Sequence, residues 1–344
     1  MNPALVAAVR GAGLDGFRAP LATALIALIV TYLMTPFVRN VAIQQGAVDD
    51  PSVDNRRVHT TPIPRWGGLA IYAGIVIAIG VVMPFAYPKS TVFPIYLTAV
   101  MIIAGFLVVV GALDDLHQYK AKVQAAVLLA AGVLVQYFYG SIGRVQIGSL
   151  GIPIHGPASY VPLGLFAIPL TAVYIFVVTK TMDTIDGIDG LAAGIAAISA
   201  GTLIVIAVYS GQPRVAIVAA AIAGSAAGFL RHNYNPAKIF MGTGGAYVLG
   251  FTLACVSIVG ALKTAAAVSL LIPVLVFGVP IMDAFIVITR RILSRQPITQ
   301  ADKRHLHHTL LGKGLTQRQT VWILYAFAAA LCAVALLVVL KPNA

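Results

Sequence analysis

Residues 183–209 read Asp183-Thr-Ile-Asp186-Gly-Ile-Asp189-Gly190, followed by LAAGIAAISAGTLIVIAVY from Leu191 to Tyr209. The second part carries no charge along 19 residues. A helix needs about 20 apolar residues to cross a hydrocarbon core. Only a helix or a closed barrel satisfies its backbone there, and continuous apolar character favours the helix. Similar runs recur along the chain, at Leu21–Val38, Leu69–Tyr87, Ile95–Leu113, Val123–Tyr139, Leu163–Thr179, Val215–Leu230, Ala246–Leu262, Ala265–Ile288 and Val321–Leu340. The expected fold is an all-α polytopic integral membrane protein with about ten transmembrane helices, forming one transmembrane domain over residues 1–344.

Composition supports this reading. Of 344 residues, 59% are hydrophobic and 10% charged, with mean hydropathy +0.92. A soluble domain carries about 25% charged residues. A soluble enzyme, a disulfide scaffold and a disordered chain are excluded. Cys255 and Cys332 lie inside apolar runs and read as small core or lipid-facing residues. The N-terminal MNPALVAAVRGAGLDGF shows neither an h-region nor an A-x-A site, so no cleaved signal peptide is expected.

Alternate loops test orientation. The loops after spans 1, 3, 5, 7 and 9 hold 16 of the 23 Lys and Arg, which predicts that this side is cytoplasmic and both termini are outside. All 11 acids are Asp, and only Asp15 falls on the other side. Six of seven His follow the same sorting, His155 excepted. The positive-inside rule does not explain this for Asp and His. It predicts one polar site on the cytoplasmic face, built from loops 39–66, 114–122, 180–190, 231–245 and 290–319. On the opposite side, Ser141–Tyr160 alternates around Gly and Pro and reads as a short hairpin.

Five segments carry the candidate chemistry. Asp114 and Asp115 end span 3, where two adjacent carboxylates repel unless a cation relieves them; Lys120 and Lys122 could also neutralise them. Asp183, Asp186 and Asp189 recur at i, i+3 and i+6 and are expected on one broad helix face. That is more than capping needs, and hard oxygens suit Mg²⁺ alongside substrate phosphate. Gly242, Gly244 and Gly245 admit either close backbone approach to a ligand or close helix packing. His305-Leu-His307-His308, after Lys303 and Arg304, reads as an anion site or as a solvated basic loop. In the first loop, Arg56, Arg57, His59 and Arg65-Trp66-Gly67-Gly68 read equally as orientation charges beside a turn or as ligand contacts. Asp283 is expected to pair with Arg290 at a helix end.

In this order and on one face, these segments resemble the polyprenyl-phosphate N-acetylhexosamine-1-phosphate transferases, from about Asp49 to Gln319. The resemblance implies catalytic roles for Asp114, Asp115 and Asp186, and a lipid-phosphate contact for Lys122. It implies a uracil site at Gly187, Ile188 and Asp189, with Phe240 stacking on the ring. His305, His307 and His308, with Arg304, would recognise the sugar diphosphate. That H-x-H-H pattern resembles the GlcNAc-1-phosphate branch rather than the MurNAc-pentapeptide branch. The metal positions depart from the family: Asp183 stands where Asn is usual, and Thr243 where Asp is usual. One carboxylate is gained and one lost, so Asp183 and Thr243 are expected to hold Mg²⁺ or Mn²⁺ between them. The competing reading is a weakened homologue with a damaged metal site.

The expected activity is Mg²⁺-dependent transfer of an N-acetylhexosamine 1-phosphate, foremost GlcNAc 1-phosphate, from its UDP-sugar to undecaprenyl phosphate. The expected setting is the bacterial inner membrane, at the start of cell-envelope polysaccharide synthesis. The expected partners are the UDP-sugar, the lipid phosphate and the bilayer, with a homodimer admitted and nucleic acid excluded. A secondary transporter would place its ionisable groups near the midplane in repeated halves, and no repeat is seen. A CDP-alcohol phosphotransferase would show a D-G-x-x-A-R pattern that is absent here. A membrane scaffold has no need of clustered acids.

Overall fold

The computed structural model describes residues 15–51, 61–87, 93–140, 143–151, 160–261, 271–294 and 305–340. It contains helices α1 (Asp15–Gln44), α2 (Gly67–Ala86), α3 (Ile95–His117), α4 (Ala121–Leu134), α5 (Ala167–Ile185), α6 (Leu191–Tyr209), α7 (Pro213–Asn233), α8 (Gly242–Ala261), α9 (Leu271–Val276), α10 (Gly278–Leu293), α11 (Leu306–Gly312) and α12 (Gln317–Leu340). Two short antiparallel pairs accompany them, β1 (Val48–Asp49) with β2 (Ile63–Pro64) and β3 (Ser149–Gly151) with β4 (Tyr160–Pro162). The second pair is the expected hairpin, extended two residues beyond Tyr160. Eight of the described helical segments are long and apolar enough to cross a membrane. The chain is an all-α polytopic membrane protein.

Exposed large apolar side chains mark the outer faces, and small residues bring helices close inside. Leu21, Leu25, Ile29, Leu33 and Phe37 recur every fourth residue on α1 and are exposed, an apolar stripe fit for lipid. The centre is α8, whose described side chains beyond its first turn are buried, packed against α3, α5, α2 and α6. Between α1 and α7 the contact is backbone to backbone. A Cβ on Gly224 would fall 2.0 Å from the Ala24 carbonyl, and one on Gly228 would fall 2.4 Å from that of Leu28. Such small-residue spacing is how helices approach where the apolar solvent gives no drive to associate.

Two of the expected spans differ. The fourth is a 14-residue α4 followed by one 3-10 turn, Val135–Tyr137. The ninth is interrupted at Phe277, between α9 and α10, with residues 262–270 outside the described set. Proline explains the second break. Pro280 has no N–H to give the Val276 carbonyl. That carbonyl instead accepts the Ser199 hydroxyl at 2.8 Å. Pro36 acts alike in α1, where the released Tyr32 carbonyl accepts His232 Nε2–H at 3.0 Å. Cys255 and Cys332 are buried free thiols, core rather than lipid-facing residues.

Candidate active site

The α3 end, the α5 end and the starts of α2 and α8 meet at one end of the bundle. The meeting is made by backbone contact. Gly67 and Gly68, opening α2, donate their N–H groups to the carbonyls of Phe240 (3.0 Å) and Met241 (2.9 Å), while Phe240 donates to Pro64 (2.8 Å). A Cβ on Gly68 would lie 2.2 Å from Gly245 N, and one on Gly111 would lie 2.3 Å from Gly244 Cα. The glycines at 244 and 245 therefore serve helix packing rather than ligand approach. Gly242 differs: its φ is +69°, and a Cβ there would sit 2.2 Å from Asp115 Oδ2. It makes room for a carboxylate.

The two adjacent aspartates have separate surroundings. Asp114 closes the turn from α3 to α4, with Oδ1 accepting Tyr119 N–H at 2.9 Å and both oxygens accepting Gln124 Nε2 at 3.0 Å. Neither Lys120 nor Lys122 neutralises it; Lys122 is exposed on the first turn of α4. Asp115 is turned inward. Its Oδ1 accepts the Thr243 amide at 3.1 Å and faces Arg65 Nη1 at 3.7 Å. Its Oδ2 is buried and has no partner among the described residues. The N-terminus of α8 thus holds a protein carboxylate, not an external anion.

Arg65 also pairs with Asp49. Its place is fixed by a short backbone bond to Ala47 (2.8 Å), and the next residue, Trp66, donates Nε1–H to the Ala112 carbonyl at 2.9 Å. Of the first-loop candidates, Arg65 joins the site; Arg56, Arg57 and His59 lie outside the described residues, as does Arg304.

The Asp183–Asp189 stretch does not form one helix face. Asp183 lies in the last turn of α5, Asp186 is its C-terminal cap, and Asp189 precedes α6 beyond Gly187. Gly190, at φ +82°, makes the turn into α6. Asp183 Oδ2 is held by Lys180 Nζ at 2.6 Å, and Lys180 also reaches Gln124 Oε1 at 2.8 Å. A relay Asp114–Gln124–Lys180–Asp183 therefore joins α3, α4 and α5. Asp186's carboxyl is held well above the ordinary carboxylate value by burial and by the charges of Asp183, Asp115 and Asp189, with Arg65 opposing them. Asp189 pins the loop before α8, its Oδ2 accepting Asn235 Nδ2 (2.9 Å) and Ala237 N–H (3.0 Å). Ile188 is buried, and Phe240, at the end of that loop, is half-buried beside the backbone of Pro64 and Gly67.

The histidine segment forms the short helix α11. Its cap, His305, donates Nδ1–H to Asp283 Oδ2 at 2.7 Å, and Leu306 N–H donates to Asp283 Oδ1 at 2.6 Å. Asp283 therefore pairs with His305, not with Arg290; it is buried in α10 and faces the loop rather than the helix end. His307 is buried, and its unpartnered Nε2 lies 2.6 Å from where a Gly187 Cβ would be. Burial, with neighbouring His308, lowers its pKa to about 3, so the ring is neutral at physiological pH. His308 packs on it, the ring centroids 4.3 Å apart.

Three site residues were not singled out by sequence. Lys180 and Gln124 look like a flanking charge and an ordinary helical amide. Lys180's spacing of three from Asp183 was the available signal. The third, Tyr247, is buried one turn into α8 with an unpartnered hydroxyl, in the field of Asp183, Asp114 and Asp115.

The site is a set of carboxylates and paired cations gathered at one end of a helical membrane bundle. Residues 95–261 match the family model described as glycosyl transferase family 4. Over 301 residues the chain is 36% identical to a probable undecaprenyl-phosphate N-acetylglucosaminyl 1-phosphate transferase of Bacillus subtilis, covering 88% of this chain and 80% of that one. It is 33% identical over 348 residues to a decaprenyl-phosphate N-acetylglucosaminephosphotransferase of Mycobacterium tuberculosis, covering 93% and 82%. It is 29% identical over 309 residues to the undecaprenyl-phosphate alpha-N-acetylglucosaminyl 1-phosphate transferase of Escherichia coli K12, covering 89% and 80%. The chain belongs to glycosyl transferase family 4, as a glycosyl-1-phosphate transferase.

Proposed function

We propose that the chain transfers GlcNAc 1-phosphate from UDP-GlcNAc to undecaprenyl phosphate, with Mg²⁺ or Mn²⁺, on the cytoplasmic face of a bacterial inner membrane. An oxygen of the lipid phosphate attacks the phosphorus that carries the sugar. The bond from that phosphorus to the bridging oxygen breaks, and UMP leaves. The products are UMP and a lipid-linked sugar diphosphate. One observation carries the reading: Asp115's unpartnered buried oxygen stands with Asp183 and Asp186 and with two cations, Lys180 and Arg65, at one end of the bundle. Phosphoryl transfer depends on positioning and on charge neutralisation, and this arrangement suits both.

The donor set fits a hard divalent cation. Asp115 Oδ2 and the Tyr247 hydroxyl are buried oxygens without partners among the described residues, and burial, with the charges of Asp183, Asp115 and Asp189, raises the Asp186 carboxyl. Among the described residues no three His, Cys or Asp side chains close on a single point. A hard cation there would be held by one or two carboxylates and completed by water and phosphate. Asp183 and Thr243 already have protein partners, Lys180 and Asp115. We therefore assign the cation to Asp115 and Asp186, which would hold it, with Asp183 open to it only in competition with Lys180 and Thr243 holding Asp115 in place. When bound, the cation neutralises the diphosphate and the departing UMP. Arg65 holds Asp115 from the other side. Gly187, Ile188, Asp189 and Phe240 line the nucleoside end, His305 and His308 with Arg304 take the sugar diphosphate, and Lys122 takes the lipid phosphate at the headgroup level.

The test is a membrane assay with undecaprenyl phosphate and a panel of radiolabelled UDP-sugars. UDP-GlcNAc should label the lipid fraction, EDTA should abolish labelling, and Mg²⁺ or Mn²⁺ should restore it while Zn²⁺ does not. Labelling that persists undiminished in metal-free membranes removes the cation from the reaction.

A further inference from the structure

We propose that Asp283 is a positioning residue for His305, fixing the imidazole that meets the donor's sugar diphosphate; this rests on the reading given above. Asp283 is 2% exposed, in the middle of α10, and 22 residues separate it from its partner. Both of its oxygens are spent on the start of α11: Oδ2 on the His305 ring at 2.7 Å, and Oδ1 on the Leu306 amide at 2.6 Å. A helix cap needs only the amide bond. The ring bond does something else. It holds the proton on Nδ1 and turns Nε2 away from α10, so that Nε2 is the ring atom left to meet an anion in front. His305 Nε2 has no partner among the described residues, and the side chain keeps 14% of its surface exposed.

What lies beside His305 strengthens the assignment. The His305 and His307 rings are nearly parallel, at 6°, with centroids 5.7 Å apart. His307 closes against Gly187, in the same turn as Asp186. The charged and titratable groups gathered here are Asp283, His305, His307 and His308; of these, Asp283 is the one carboxylate that touches a histidine ring among the described residues. One buried carboxylate on α10 thus sets α11 against the loop that carries Asp186.

Asp283→Asn is the discriminating variant. It keeps an oxygen for Leu306 N–H but presents an amide N–H₂ group to His305 Nδ1–H. In the full-length protein, KM for UDP-GlcNAc should rise about tenfold, the size of one charge-assisted hydrogen bond, with kcat and KM for undecaprenyl phosphate little changed. His305→Ala should cost a similar factor, and the double variant should be no worse than His305→Ala. Nitrogen NMR of histidine-labelled protein reads the contact without activity: the Nδ1–H form of His305 should be lost in Asp283→Asn. Additive losses in the double variant, an unchanged donor KM, or an unaltered His305 spectrum each overturn the proposal. Failure of the wild type to use UDP-GlcNAc, with the spectral change intact, instead overturns the proposed donor and, with it, the role of the contact in holding that donor.

Discussion

Lys180→Met separates the roles of the charges at the end of α5. The ammonium bonds Asp183 at 2.6 Å and Gln124 at 2.8 Å. Lys180 is 34% exposed in its side chain and Asp183 20%. A fully exposed pair contributes about 0–1 kcal/mol, and a buried charge-assisted bond about 1.5–3 kcal/mol. A pair between these limits is worth about 1.4 kcal/mol, or roughly tenfold in an equilibrium constant. A divalent cation that uses Asp183 must displace Lys180 against that amount. With methionine at 180 the displacement is no longer needed, so Mn²⁺ should bind about tenfold more tightly. The assay is loss of the free Mn²⁺ signal in electron paramagnetic resonance, on purified protein without either substrate. Transfer should move the other way, with kcat falling, because the ammonium no longer meets the diphosphate. Adding Asp183→Asn to Lys180→Met should reverse the gain in Mn²⁺ affinity. Unchanged or weaker Mn²⁺ binding in Lys180→Met would refute the competition between lysine and metal for Asp183.

The paired aspartates should part company: Asp115→Asn should lower kcat at least about a hundredfold with little change in melting temperature, while Asp114→Asn, which loosens the α3–α4 turn, should lower melting temperature and spare more of kcat. Gly242→Ala forces a left-handed backbone at about 1–2 kcal/mol and pushes a methyl group into Asp115 Oδ2; a displaced carboxylate should cost roughly a hundredfold in transfer, and near-normal turnover would show that Asp115 tolerates displacement. Asp186→Asn should be inactive yet more stable in metal-free buffer near pH 7. The fold opposes ionisation of Asp186, so wild-type stability falls as pH rises from the ordinary Asp value towards the raised one, and the amide variant should lack that slope in thermal melts between pH 4 and 8.

Apolar runs made the helical membrane fold legible, because lipid imposes them on sequence directly, and the one-sided sorting of Asp and His made its polar end legible, because a charged site is excluded from the hydrocarbon. Pairings between distant helices left no such imprint. Asp283 looks like a helix-end acid beside Arg290 until the start of α11 is seen to bond it, since a carboxylate's partner is chosen by packing and not by sequence distance. Asp114 and Asp115 are one motif in sequence, but successive helical residues point about 100° apart, so one faces Gln124 and the other Thr243. The exchange at 183 and 243 shows the limit most plainly. Counting charges suggests that Asp183 replaces a carboxylate lost at 243. In space, the charge gained at Asp183 is met by Lys180, and Thr243 gives its amide to Asp115. A fair count must therefore include Lys180, and it leaves Asp115 and Asp186 as the carboxylates with most to gain from a cation. On that count Thr243→Asp should not rescue Asp183→Asn, because a carboxylate at 243 would face Asp115 and not replace a charge that Lys180 already offsets. A double variant that recovered transfer would restore the simpler exchange between 183 and 243, and would make Lys180 a bystander.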